Sequence, residues 1–290
     1  MPNFSAPNFF IIGAMKSATS TLHNQLAAQP GIFMSTPKEP NFFSDDSVYV
    51  QGLDWYHGLF SEAEEGDLCG ESSTHYTKLP DYPHTIERLQ EAVQSPRLIY
   101  VMRDPIDRLI SHYIHQWSEG VISCDINQAI DRYPELINYS CYGMQIKPYL
   151  ETFGKDAVLP VFFDALKSAP DQTLVKVGEF IGCQAPLSWV HDLGPDNVSQ
   201  RRVRKFRGYS LLIESSFMQT LRRRLIPQTL RDRIKGRLQM QDRPKIHKAQ
   251  LERIRSIFDR DLHTLSPWLG FEITCANFRQ VSLTCSEIKD

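Results

Sequence analysis

Four short apolar runs, at 9–12, 67–70, 98–102 and 158–163, alternate with stretches whose apolar residues repeat at helical spacing, at 19–28, 85–93, 105–117, 142–153 and 171–181. Nothing else in the sequence narrows the fold as much. A strand that reads as an unbroken apolar run is buried on both faces, and parallel neighbours need a crossover long enough to hold a helix. The expected fold is therefore α/β, with a central, mostly parallel sheet between layers of helix. Pro105 stands where a helix-starting proline belongs, directly after Asp104, a good N-cap.

Beyond about residue 195 the character changes. The run 201–207, RRVRKFR, is densely basic, and an arginine-rich helical pattern continues to about Leu238. A last amphipathic segment at 247–265 carries Leu251, Ile254, Phe258, Leu262 and Leu265 at helical spacing. The expectation is one domain over 1–290, with a core at about 9–182 and a basic, helical C-terminal region at about 195–290.

Composition removes several classes. With 32 Lys and Arg against 34 Asp and Glu, the net charge of -2 gives no general attraction to nucleic acid, so any basic function is local. The six cysteines (Cys69, Cys124, Cys141, Cys183, Cys275 and Cys285) show no CxxC spacing or metal-ligand grouping and fit reduced, mostly buried thiols. The first residues, MPNFSAPNFF, have neither a basic n-region nor a long apolar h-region, and no stretch approaches the roughly 18 apolar residues of a membrane span. A cytoplasmic location is expected, with the sequons at Asn3, Asn138 and Asn197 read as chance matches.

Two stretches carry chemistry. In FFIIGAMKSATSTL (9–22) an apolar strand turns at Gly13 into a lysine and a cluster of small hydroxyl residues that open a helix. Free backbone amides and a positive dipole at a helix start attract phosphate or sulfate, and Lys16, Ser17, Thr19, Ser20 and Thr21 add a charge and hydroxyl donors. A surface turn with a solvated lysine is the plainer reading. The nucleotide triphosphatase loop GxxxxGK[ST] is not met, because Met15 stands where its glycine belongs. The second stretch, RLIYVMRDPIDRLISHY (97–113), is again strand, turn, helix. Arg103 ends the strand, and Ser111 lies two helical turns on, so a guanidinium and a hydroxyl can clamp a second phosphate. Ordinary pairs, Arg103 with Asp104 or Arg108 with Asp107, are the alternative.

Together the two stretches resemble the signature of sulfotransferases that use 3′-phosphoadenosine 5′-phosphosulfate. In that family a loop like KSATST grips the 5′-phosphosulfate, and an arginine with a serine eight residues on binds the 3′-phosphate. The resemblance implies a P-loop type of nucleotide-binding fold and makes Lys16, Ser17, Ala18, Thr19, Ser20, Thr21, Arg103 and Ser111 the donor-binding residues, with no metal required. Three further elements resemble the glycan sulfotransferase branch and its bacterial relatives. KEPNFF (38–43) is similar to the segment carrying the catalytic glutamate in heparan sulfate sulfotransferases, LDWYHGLF (53–60) to a WYxxxF element, and GESSTHY (70–76) to a strand-end element. NVS at 197–199 and the final helix add a looser likeness. Ala18 replaces the usual loop glycine, a mild change if its backbone is already helical. Asn41 stands where some glycan sulfotransferases have histidine, and Ser72 where some have a lysine beside the acceptor.

The resemblance implies that Lys16 neutralises charge on the leaving oxygen and that Glu39 takes the acceptor's proton. From spacing alone Glu39 reads as a loop carboxylate paired with Lys38. Glu71 either orients the base or acceptor or anchors a nearby Lys or Arg, His75 is a weaker base, and Tyr142 packs in the core or near the nucleotide. Arg201, Arg202, Arg204, Lys205 and Arg207 suit a cover over phosphates, an anionic acceptor or a solvated face, and 221–238 suits contact with an anionic membrane surface. The expected partners are the nucleotide donor and a small-molecule, glycan or glycolipid acceptor. Two alternatives stand beside this: a P-loop small-molecule kinase using ATP and Mg²⁺ through Lys16, Ser17 and Asp164, and a non-catalytic glycan-binding relative.

Overall fold

The computed structural model describes residues 7–193, 240 and 242–284. Strands β1 (Phe9–Gly13), β2 (Ile32–Met34), β3 (Leu68–Ser72), β4 (Arg97–Met102) and β5 (Val158–Phe162) form a sheet ordered β2-β3-β1-β4-β5, with every neighbouring pair parallel. β1 is buried along its whole length, which is why its sequence shows no polar alternation. Phe10, Ile12, Tyr100 and Met102 face one core with Phe42, Tyr56 and Tyr142, whereas Phe9, Ile11, Ile99 and Val101 face the other with Leu22, Leu26, Val177 and Ile181. Each fully buried side chain of this kind contributes about 1.5–3 kcal/mol. Gly70 is needed for close approach: a Cβ there would lie 2.1 Å from Phe9 Cζ.

The helices Thr19–Ala27, Thr85–Ala92, Pro105–Ser118, Tyr142–Phe153 and Pro170–Ile181 match the expected ones to within a residue or two at their ends. β2 was not expected. Its three residues carry too little apolar pattern to stand out, and pairing with β3 makes them a strand. The run at 158–163 divides, because Phe163 begins the helix Phe163–Ser168.

The amphipathic C-terminal segment forms the helix Lys248–His263. Its Ile254 and Phe258 pack with Leu109, Tyr113 and Ile130, and Leu262 joins the core that holds Tyr142. Asp261 on this helix accepts hydrogen bonds from the backbone N–H groups of Gly143 (2.7 Å) and Met144 (2.8 Å), so its carboxylate caps the helix Tyr142–Phe153 from outside. The basic run 201–207, the arginine-rich pattern at 221–238 and the triplet 197–199 lie outside the described residues. None of the described helices is long and apolar enough to cross a membrane. None of the described cysteines is in a disulfide; Cys69 and Cys141 are buried and Cys124, Cys183 and Cys275 partly so.

The topology fixes where a ligand meets the sheet. From β1 the chain passes to one side through β2 and β3 and then crosses to β4 on the other side. The C-terminal ends of β3, β1 and β4 thus stand side by side at a switch point, where open α/β sheets bind ligands.

Candidate active site

The loop after β1 is shaped for an anion. Lys16 (φ 72°) and Ala18 (φ 67°) both lie in the left-handed region, which turns the chain back so that the helix Thr19–Ala27 starts at once. The first backbone bond of that helix runs from Leu22 N–H to Ala18 C=O at 3.1 Å. The amides of Thr19, Ser20 and Thr21 precede it, and Ala18 at the N-cap has no side chain to accept them. An isolated helix would favour Ser, Asp or Asn there. Ser17 Oγ, on a fully buried residue, has no hydrogen-bond partner among the described residues. The condition under which Ala18 would be a mild change, a backbone already helical, is not met: its conformation is the left-handed one that glycine adopts freely and alanine only at a cost of about 1–2 kcal/mol. Ala18→Gly is expected to raise unfolding free energy by about 1 kcal/mol in urea titration, because the strain released exceeds the extra entropy of the unfolded glycine.

Arg103 reaches this loop from the end of β4. Its Nη1 donates to the Lys16 carbonyl at 3.3 Å, and its guanidinium lies 4.6 Å from the Phe163 ring centroid. Arg103 Nε is buried with no hydrogen-bond partner among the described residues. Tyr142 packs in the core and also holds the backbone of Arg103. Fully buried, its hydroxyl accepts from the Arg103 N–H (3.2 Å) and donates to the Arg103 C=O (2.6 Å), so a core side chain sets the arginine's backbone. Asp104 caps the following helix through the N–H groups of Ile106 (3.0 Å) and Asp107 (2.9 Å). Ser111 sits on that helix at 4% exposure. The supposed Arg108–Asp107 pair does not form. Arg108 is fully buried and donates to Ser140 Oγ (2.5 Å) and the Leu136 C=O (2.9 Å), while Asp107 is taken by Arg243 and Arg279.

The KEPNFF segment brings Glu39 to the same place. Glu39 has φ 58° and Asn41 φ 56°, a left-handed backbone that asparagine adopts readily and glutamate seldom. The Glu39 N–H is fixed to the Ser72 carbonyl at 2.9 Å, across the end of β3. Glu39 Oε1 pairs with Lys38 Nζ at 3.0 Å, and the same ammonium donates to Ser20 Oγ at 2.9 Å. Thr74 Oγ1 donates to Glu39 Oε2 at 3.3 Å. The Lys38 pairing read from spacing is therefore real, and it is also what ties Glu39 to the β1 loop. Burial pushes the Glu39 carboxyl up, but the charge and hydrogen bond of Lys38, the charge of Lys78 and the Thr74 hydroxyl outweigh it and leave its pKa below the usual value.

Glu71 anchors no Lys or Arg in an ion pair among the described residues. It is fully buried and accepts from Tyr56 Oη at 2.9 Å, and burial pushes its carboxyl up to about 7. This is a core position beneath the site. His75 is drawn down to about 4 by burial and by Lys78, and it stacks on Tyr82 with ring centroids 4.6 Å apart. Asp164 accepts from Ser282 Oγ at 3.3 Å, and no cluster of His, Cys, Asp or Glu suited to a metal occurs among the described residues.

Sequence reasoning missed His23 and Lys78. His23 is buried on the helix that starts at the loop, and its Nδ1 lies 2.9 Å from Ser72 Oγ. Burial and Lys38 hold it down at about 4, so it is neutral near pH 7. The signal was helical spacing from Thr19: positions 19, 22, 23 and 26 share the buried face, and a histidine on that face meets the strand ends.

Comparison with known proteins decides the family. The model of the sulfotransferase domain matches residues 6–266. This chain belongs to the sulfotransferase family. Over 116 residues it is 35% identical to the membrane-associated sulfotransferase kil1 of Dictyostelium discoideum, a match covering 38% of this chain and 24% of that protein. Over 194 residues it is 29% identical to heparan sulfate glucosamine 3-O-sulfotransferase 3A1 of Mus musculus, covering 64% of this chain and 48% of that protein. The chain thus corresponds to half or less of the length of these relatives. Among solved structures, a sulfotransferase from Alicyclobacillus acidocaldarius shares the fold, with a TM-score of 0.64 at 21% identity, covering 93% of this chain and 98% of that one. Within the sulfotransferase fold the Lys16 loop, Arg103 and Glu39 all gather at the C-terminal ends of β1, β4 and β3.

Proposed function

We propose that the chain transfers a sulfuryl group from 3′-phosphoadenosine 5′-phosphosulfate to a hydroxyl or amine of an acceptor, a glycan or glycolipid. The observation that carries this reading is the uncapped helix start after β1, joined to a half-buried arginine from the end of β4. An alanine N-cap, the unpartnered Ser17 Oγ and the unpartnered Arg103 Nε leave donors that a doubly phosphorylated nucleotide would satisfy. The residues present therefore fit such a donor, whose bond between sulfur and the 5′-phosphate oxygen supplies the group transferred.

The chain's own residues then account for the chemistry. Lys16 and the amides of Thr19, Ser20 and Thr21 hold the 5′ end and stabilise negative charge on the departing phosphate oxygen. Arg103 and Ser111 hold the 3′-phosphate. Glu39, ionised because its pKa is lowered, accepts the acceptor's proton as the acceptor's lone pair forms the new bond to sulfur and the old sulfur–oxygen bond breaks. Lys38 keeps Glu39 facing the loop through its contact with Ser20. The names of the glucosamine 3-O-sulfotransferases among the relatives support an amino-sugar glycan as the acceptor class.

The test is thermal unfolding in the presence of adenosine 3′,5′-bisphosphate or of ATP with Mg²⁺. At 100 times its dissociation constant, a ligand specific for the folded state adds about 2.7 kcal/mol. The bisphosphate is expected to raise the midpoint and ATP with Mg²⁺ to leave it nearly unchanged. A rise with ATP and Mg²⁺ alone would remove the sulfotransfer reading.

A further inference from the structure

Lys78 is the most buried lysine of the site, with only 9% of its surface exposed. It follows the turn Thr74–Thr77, whose Thr74 hydroxyl holds Glu39 Oε2, and its own N–H bonds the His75 carbonyl at 3.2 Å. Its ammonium lies 5.8 Å from the Tyr139 ring centroid, and among the described residues it makes no ion pair. A desolvated ammonium in that state is costly unless a counter-charge arrives.

The neighbours supply only part of one. Glu39 and Asp81 are close enough for their charges to act on Lys78, but Glu39 Oε1 is already paired with Lys38, and Asp81 accepts the Tyr139 hydroxyl and is exposed. Arg108, near enough for its charge to act on Lys78, adds a second positive group that is fully buried and has no carboxylate partner among the described residues. His75 Nδ1 is buried and unpartnered in the same turn, a neutral ring able to donate. Position matters too. Glu39 turns Oε1 toward Lys38 and the donor loop and Oε2 toward Thr74, the residue that opens the turn leading to Lys78.

We infer that Lys78, with His75 beside it, is an anion subsite for the acceptor, and that the acceptor carries a carboxylate or sulfate close to the group that is sulfated. This rests on the sulfotransferase reading of the same site. Burial lowers the Lys78 ammonium to about 8, so it remains mostly charged at pH 7.

The test uses the whole chain saturated with adenosine 3′,5′-bisphosphate and matched sugar pairs that differ only in one charge, such as p-nitrophenyl glucuronide against p-nitrophenyl glucoside, and a glucosamine 6-sulfate against glucosamine. By calorimetric titration the charged member of at least one pair is expected to bind about tenfold tighter or more, a difference of one charge-assisted hydrogen bond. Lys78→Met is expected to erase that preference and Lys78→Arg to keep part of it, with bisphosphate affinity retained in both variants. If the charged sugar of the carboxylate pair prefers the protein, the anion is a carboxylate; if that of the sulfate pair does, it is a sulfate. A set in which no charged sugar exceeds its neutral twin, or in which Lys78→Met keeps the preference, overturns the inference. Loss of bisphosphate binding by the unaltered chain would instead defeat the donor assignment, so the two failures are distinguishable.

Discussion

Glu39→Gln is expected to lower kcat by about 100- to 10,000-fold, the range of a positioned general base, while binding of adenosine 3′,5′-bisphosphate stays intact. Glutamine has the same shape, so the backbone at φ 58° and the N–H bond to the Ser72 carbonyl can persist. What disappears is the ability to accept a proton. The pH profile checks this independently. A carboxylate whose folded pKa is depressed is ionised above that value, so the acid limb of kcat/KM in the unaltered protein should lie below the ordinary glutamate range. In the variant that limb should vanish. The same depression makes Glu39 stabilise the fold above its unfolded pKa, with the contribution lost as pH falls through the folded value. Single-turnover rates with an active acceptor decide the matter: turnover within about threefold of the unaltered protein would exclude Glu39 as the base, since even weak base catalysis exceeds that.

The parts of this site that were legible in the sequence are those made by short-range geometry. Strand, turn and helix lie within fourteen residues in FFIIGAMKSATSTL, so the loop, its lysine and the start of its helix could be placed from pattern alone. The same holds for Arg103, Asp104 and Pro105, whose capping geometry is local. Ala18 escaped because a residue's sign of φ is not written in its own side chain; it is set by the reversal that the loop must make after Gly13. β2 escaped because three residues carry no period, and only its neighbour β3 defines it. Lys78 and His23 escaped for a different reason. Their importance comes from burial beside Glu39 and Ser72, which lie 39 and 49 positions away and meet them only through the parallel ladder β2-β3-β1. Glu71 shows the converse. Its place at a strand end suggested an ionic role, but the ring of Tyr56 and the surrounding core enclose it.

Arg103→Ala provides the second large effect, and it separates two jobs that the structure gives one side chain. The guanidinium donates to the Lys16 carbonyl, which steadies the loop, and keeps a buried Nε unpartnered on its Phe163 platform, which suits a phosphate. If phosphate binding dominates, removing it should weaken adenosine 3′,5′-bisphosphate by about 100-fold, roughly the loss of a bidentate charged contact at about 1.5–3 kcal/mol for each hydrogen bond. Adenosine 5′-monophosphate, which lacks the 3′-phosphate, should lose no more than about threefold. Lys16→Ala should act the other way and weaken both nucleotides alike, because its partner is the end they share. The double cycle of ligand and residue thus assigns each phosphate to a cation. An equal loss for both nucleotides in Arg103→Ala would show that the arginine works by holding the Lys16 loop, and the 3′-phosphate would then need another partner. Tyr142→Phe sharpens the distinction. It removes the hydroxyl that fixes the Arg103 backbone but leaves both cations in place, so it should weaken the bisphosphate by about tenfold at most, the worth of one hydrogen bond, and spare the monophosphate.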